Sequence, residues 1–133
     1  MTYRASSGTI QAYAAIAGVV LVLVGLLGFL NTPIVGENGF FATDALHNIV
    51  HTVTGLYGLY VAFGLRGSAQ VQGMLIFAIL YLVILVVVFL SPTLFGLFSV
   101  PANAPLHVVH AALAVAGFAT YFLGRQVADS YSA

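Results

Sequence analysis

Four apolar stretches constrain this chain more than any other feature, because each approaches the ~20 residues a helix needs to cross a ~30 Å hydrocarbon core. They run 10–30, 45–65, 73–90 and 105–123. The runs are too long and too uniformly apolar for the ~10-residue alternating strands of a membrane barrel. A helix also pairs its backbone polar groups within its own segment, as lipid demands. Only 5% of the residues are charged and 62% are hydrophobic, whereas about a quarter of a soluble domain is charged. A chain of 133 residues has too much surface for its volume to hide that apolar content from water. Lipid must be its solvent. The zero net charge lacks the basic footprint of a nucleic-acid binder. The absence of cysteine removes disulfides, thiolate metal sites and cysteine nucleophiles.

The expected fold is all-α, a single integral membrane domain in which four spans form an up-down-up-down bundle. The first span is read as retained rather than as a secretion signal, since its run exceeds the ~7–15 residues of a signal core. Asn31-Thr32-Pro33 then marks its end and a turn. Residues 66–72 form a short polar link, and a small polar tail, 124–133, is expected to fray or to lie at the interface. Arg4, Arg66 and Arg125 all fall on one side of an even-numbered set of crossings, with Glu37 and Asp44 on the other. Positive residues stay on the cytoplasmic side. The protein is therefore expected in the cell (inner) membrane with both termini cytoplasmic and the starts of spans two and four toward the outside.

The halves of the chain resemble each other. Laying His110 over His51 also lays Asn103 over Asp44 and Gly117 over Gly58. One position further along, Val88-Phe89-Leu90 falls on Gly28-Phe29-Leu30. Two hairpins repeated in the same sense imply a pseudo-two-fold axis along the membrane normal. The segment Asp44, His47-Asn48-Ile49-Val50-His51, Gly55 resembles a bacterial family of four-span membrane proteins known only as a domain of unknown function, family 4383. That resemblance implies a polar-x-x-His-Asn-x-x-His-x-x-x-Gly pattern at the start of span two and a degenerate echo with one histidine in span four. It extends to His47, Asn48, His51 and Gly55, and to Asn103 and His110 in the second half. His107 and Leu106 depart from it, standing where Asn and an acid or His are more usual. The resemblance implies a fold and no activity.

All four histidines lie in the opening turns of spans two and four. His47 and His51 are four apart and His107 and His110 three apart, which puts each pair on one helix face. With Asp44 and Asn103 as N-caps, the later histidine of each pair lies ~10 Å below its cap. Three readings are open. In the first, ring N–H groups bond outer-loop carbonyls in a network with Asp44, Asn48, Thr52, Thr54 and Asn103, locking the hairpins at about 0.6 kcal/mol per bond. In the second, His51 and His110, with His47 and His107 beside them, are axial ligands of a haem- or chlorophyll-type tetrapyrrole. In the third, the four histidines hold Zn or Cu. The two-metal carboxylate design is excluded because no span carries Glu. A proton relay has to span the bilayer. Spans one and three offer only Tyr13 and Tyr81 as titratable groups, and the inner halves of spans two and four only Tyr57, Tyr60 and Tyr121, with no acid or base below His51 and His110, which disfavours a channel or transporter.

Gly25 and Gly28 in span one, Gly55 and Gly58 in span two and Gly117 in span four are the expected sites of close helix approach. Span three, 73–90, is large, β-branched and apolar all round, the character of a lipid-facing helix or of a docking face for another membrane subunit. Phe95-Gly96-Leu97-Phe98 is expected in the outer interface. No nucleophile-elbow, phosphate-loop, zincin or dinucleotide fingerprint is present. The sequence thus points to a non-enzymatic accessory or scaffold subunit of a membrane complex, with a histidine-ligated tetrapyrrole or metal protein as the alternative.

Overall fold

The computed structural model describes residues 8–132, and side chains through Arg125. Its elements in chain order are α1 (Gly8–Phe29), β1 (Val35–Gly36), β2 (Phe41–Ala42), α2 (Ala45–Phe63), α3 (Gly67–Leu90) and α4 (Ala104–Ser132). The protein is all-α apart from the two-residue strands, which pair in parallel within the α1–α2 connection, Val35 with Phe41 and Gly36 with Ala42. Three helical segments, Gly8–Phe29, Gly67–Leu90 and Ala104–Arg125, are long and apolar enough to cross a membrane. The fourth helix, α2, is comparable in length at 19 residues. Its two histidines, Asn48, Thr52 and Thr54 lower its hydropathy below theirs.

Two boundaries differ from the sequence expectation. α3 begins at Gly67 rather than near 73, so most of the polar link is helical. The reason lies in the end of α2, whose last carbonyls lack partners within their own helix. Gln70 Nε2 donates to the carbonyls of Val61 (3.1 Å), Ala62 (3.2 Å) and Leu65 (3.2 Å). Gln11 Nε2 reaches Ala62 O from the start of α1 at 2.9 Å. Burying Gln70 as a cap draws 67–72 into the helix. The second difference is at the C-terminus, where α4 runs Ala104–Ser132 and so extends past the expected end of span four at 123.

α1 packs mainly along α2, and α3 along α4. Small residues set both approaches. A Cβ on Gly55 would lie 2.7 Å from Val22 N and 2.8 Å from Gly18 O. One on Gly58 would lie 3.2 Å from Gly18 Cα, and one on Gly117 3.2 Å from Ala78 Cα. The slide that lays Phe29 over Phe89 lays Gly18 over Ala78, so the last two contacts occupy corresponding places in the two helix pairs. Gly25 and Gly28 press on Thr52 and Asn48. Tyr13 O–H ties α1 to Leu113 O of α4 at 2.7 Å, and Tyr57 O–H ties α2 to Gly73 O of α3 at 3.0 Å.

Apolar side chains face outward on every helix, among them Ile16 and Leu23 on α1, Val53 and Leu56 on α2, Val83 and Val86 on α3, and Val108 and Val115 on α4. A water-soluble chain rarely exposes apolar surface continuously in this way; lipid favours it.

Candidate functional site

The starts of α2 and α4 lie at the same end of the molecule, held there by a reciprocal exchange. Asp44 caps α2 by accepting from His47 N at 2.9 Å, as an N-cap carboxylate does. Its other oxygen takes Ser99 N (2.5 Å), Ser99 Oγ (3.0 Å) and Val100 N (3.4 Å) from the α3–α4 connection. Asn103, just before α4, reaches the opposite way: Nδ2 donates to Phe40 O at 2.8 Å and Oδ1 accepts from Ala42 N at 3.4 Å, both in the α1–α2 connection. Each residue at a helix start thus clamps the loop that precedes the other. Burial would raise the Asp44 carboxyl, but the N–H groups of His47, Ser99 and Val100 and the Ser99 hydroxyl outweigh it and hold the group below the usual carboxylate range.

Beneath these clamps three histidines converge. His47 and His51 lie one turn apart on α2, and His110 approaches from α4. The ring centroids are 4.4 Å apart for His47 and His51, 5.8 Å for His47 and His110, and 6.1 Å for His51 and His110. One ring nitrogen from each lies within 4.8 Å of the other two. All three residues are 1–2% exposed. Both ring nitrogens of His51, both of His110 and Nδ1 of His47 are buried without a hydrogen-bond partner among the described residues.

Of the four histidines singled out from sequence, His107 stays apart. Its ring meets Phe89 edge-on at 5.4 Å, and Nδ1 has no partner among the described residues. The three-residue spacing to His110 explains this: on a 3.6-residue helix it leaves the two side chains about 60° apart. Of the polar residues expected to form a network, Asp44 and Asn103 bond between elements in the clamps, Thr54 bonds carbonyls of its own helix and the Tyr81 hydroxyl of α3, and Thr52 bonds the Asn48 carbonyl of its own helix. Asn48 Oδ1 rests against Gly28 without a hydrogen-bond donor among the described residues.

Three neighbours complete the site. Phe98 stacks on His47 with centroids 4.7 Å apart and planes 1° from parallel. It was expected at the interface with Phe95 and Leu97; those two are exposed, but Phe98 is 4% exposed. Leu94 and Phe95 take left-handed φ values of 49° and 56°, costly for such side chains, and that turn brings Phe98 inward. Tyr81 of α3 lies 6.1 Å from His110, ring to ring, with its hydroxyl 2.5 Å from Thr54 Oγ1. Leu106, the counterpart of His47 in the second half, is fully buried. Two apolar clefts flank the imidazoles. One of about 290 Å³ lies between α2 and α3, lined by His47, Val50, Thr54, Leu80 and Ile84. The other, about 160 Å³, lies between α4 and α1, lined by Leu106, Val109, Leu113, Val20 and Val24. These five positions of each cleft correspond under the slides that relate the halves; the remaining lining residues, Phe98 at the first cleft and His51 at the second among them, do not.

The model of one family matches residues 11–123. The chain belongs to the family described as Domain of unknown function (DUF4383). The match reaches all four helices and includes Asp44, Asn103 and every histidine. No curated protein and no solved structure matches the chain.

Proposed function

We propose that this chain is a four-span membrane protein that binds a transition-metal ion through His47, His51 and His110. The observation that carries the reading is the convergence of buried imidazoles whose ring nitrogens lack protein partners. Each such group, removed from water and left unpaired, costs about 1–3 kcal/mol. A bound ion turns three of those nitrogens into ligands. Neutral imidazole is the commonest protein ligand for metals, and small side-chain rotations would bring the three nitrogens to the ~2.0 Å bonds of an imidazole site.

α2 as the fourth span is supported by its inverted amphipathicity. Its polar residues His47, Asn48, His51 and Thr54 are buried, while Ile49, Val53, Leu56 and Phe63 face outward. Lipid suits that distribution; water does not. The matched Gly18–Gly58 and Ala78–Gly117 contacts, the crossed clamps of Asp44 and Asn103 and the paired clefts support two duplicated hairpins. Arg66 lies at the end opposite the clamps, which favours the site near the outer face.

A tetrapyrrole fits less well. His47 packs against both His51 and His110, in the space a flat macrocycle would need between two axial ligands. A docking role for α3 has no feature of its own, since α1 presents Ile16, Val20 and Leu23 as openly as α3 presents Ile76, Val83 and Val86.

The test is metal analysis of the protein purified in mild detergent, after loading with zinc, cobalt or copper and removal of the excess. One equivalent should be retained, and be lost in His51→Ala and His110→Ala but kept in His107→Ala. Equal retention by all three variants would sink the three-histidine assignment. A Soret band in the purified protein would move it to the tetrapyrrole.

A further inference from the structure

We infer that the ion this site selects is copper in its cuprous state. The inference rests on the three-histidine reading above and concerns which ion that site prefers. The cluster contributes three neutral donors and no anion. Asp44 is the acid at the start of α2, and its two oxygens are already occupied by His47, Ser99 and Val100. An ion among His47, His51 and His110 therefore keeps its full formal charge in an apolar setting.

The desolvation penalty of an ion grows with the square of its charge, so a dication there costs about four times what a monocation does. Zinc(II) and copper(II) ordinarily reduce that penalty with carboxylate, thiolate or a fourth donor. Among the described residues no carboxylate or thiolate joins the three imidazoles. Phe98 covers His47, the position equivalent to His47 in the second half is the buried, apolar Leu106, and the Tyr81 hydroxyl is held by Thr54. Cuprous copper has a filled d shell, carries a single charge and accepts two or three neutral nitrogens without further ligands. Methionine sulfur, its other usual donor, is not among these ligands: Met74, the methionine of the described residues, lies in the core with Ile10, Val61 and Phe77. The burial that penalises a dication also shields a cuprous ion from water and oxidation.

The experiment is anaerobic competition in detergent micelles, with copper(I) titrated against bicinchoninate and zinc(II) against a chromophoric zinc chelator. Copper(I) should bind as one equivalent, about 100-fold or more tighter than zinc(II). His51→Ala and, independently, His110→Gln should each weaken copper(I) by about 100-fold while retaining wild-type helical circular dichroism and elution volume. X-ray absorption should give a two- or three-coordinate nitrogen shell. Zinc(II) binding as tightly as copper(I), with the same histidine dependence, would overturn the cuprous assignment and leave the three-histidine site standing. Failure of folded wild-type protein to bind either ion would overturn both.

Discussion

Asp44 shows how much one side chain in this protein decides. Its carboxylate joins the start of α2 to a loop 55 residues further along the chain. Its pKa is lowered on folding by the donors from His47, Ser99 and Val100, against the opposing effect of burial. A carboxyl whose folded pKa lies below its unfolded value, ~3.9, adds stability above that pH and loses it as pH falls through the folded value. Asp44→Ala should therefore cost about 1–3 kcal/mol in unfolding measured at neutral pH. The difference from wild type should shrink once the medium is more acidic than about pH 4. A variant whose deficit persisted unchanged in acid would show that the carboxylate charge is not what holds the loop.

At the scale of elements, the approach of α1 and α2 is governed by backbone rather than by side chains. Gly55 faces Val22 N and Gly18 O, neither of which can move without shifting a helix. Gly55→Ala is expected to destabilise the protein by about 1–3 kcal/mol, the usual cost of overpacking. Gly8→Ala, where a Cβ meets nothing within 4 Å, serves as the control. Gly117→Ala should be milder than Gly55→Ala, because its Cβ would meet nothing closer than Ala78 Cβ at 3.1 Å and Ala78 Cα at 3.2 Å, whereas the Gly55 Cβ would lie 2.7 Å from Val22 N. Unfolding in a graded detergent mixture reads all three, and a Gly55→Ala protein as stable as wild type would contradict the close-packed interface. The same scale explains α3. Its polar opening turn was unreadable as helix because its partner carbonyls belong to α2, and only antiparallel packing brings Gln70 beneath them.

For the whole molecule, the test is which ends share a side of the membrane. The absence of native cysteine makes single-cysteine labelling unambiguous. Glu37→Cys and Leu97→Cys, both exposed and in the two clamped connections, should react with an impermeant reagent from the same side. Ser68→Cys, at the α2–α3 link, should react only from the other. Labelling of Glu37→Cys and Leu97→Cys from opposite sides would leave α2 or α3 outside the bilayer and end the four-span reading.

Composition and run length were sufficient to determine helices, their approximate places and lipid as the surrounding medium, because those follow from how many consecutive apolar residues must avoid water. Asp44 was legible for the same local reason, as a polar cap ahead of an apolar run; Asn103 was read in the same way, but its side chain bonds Phe40 and Ala42 of the other connection rather than the first turn of α4. Which imidazoles meet was decided only in three dimensions. His110 joins His47 and His51 across two separate helices, while His107, on α4 itself, turns away to Phe89. Phe98 enters the site through a left-handed turn that no periodic pattern marks. Side-chain direction depends on how far each helix is rotated about its axis, and packing between helices fixes that rotation after the apolar pattern has done no more than create them.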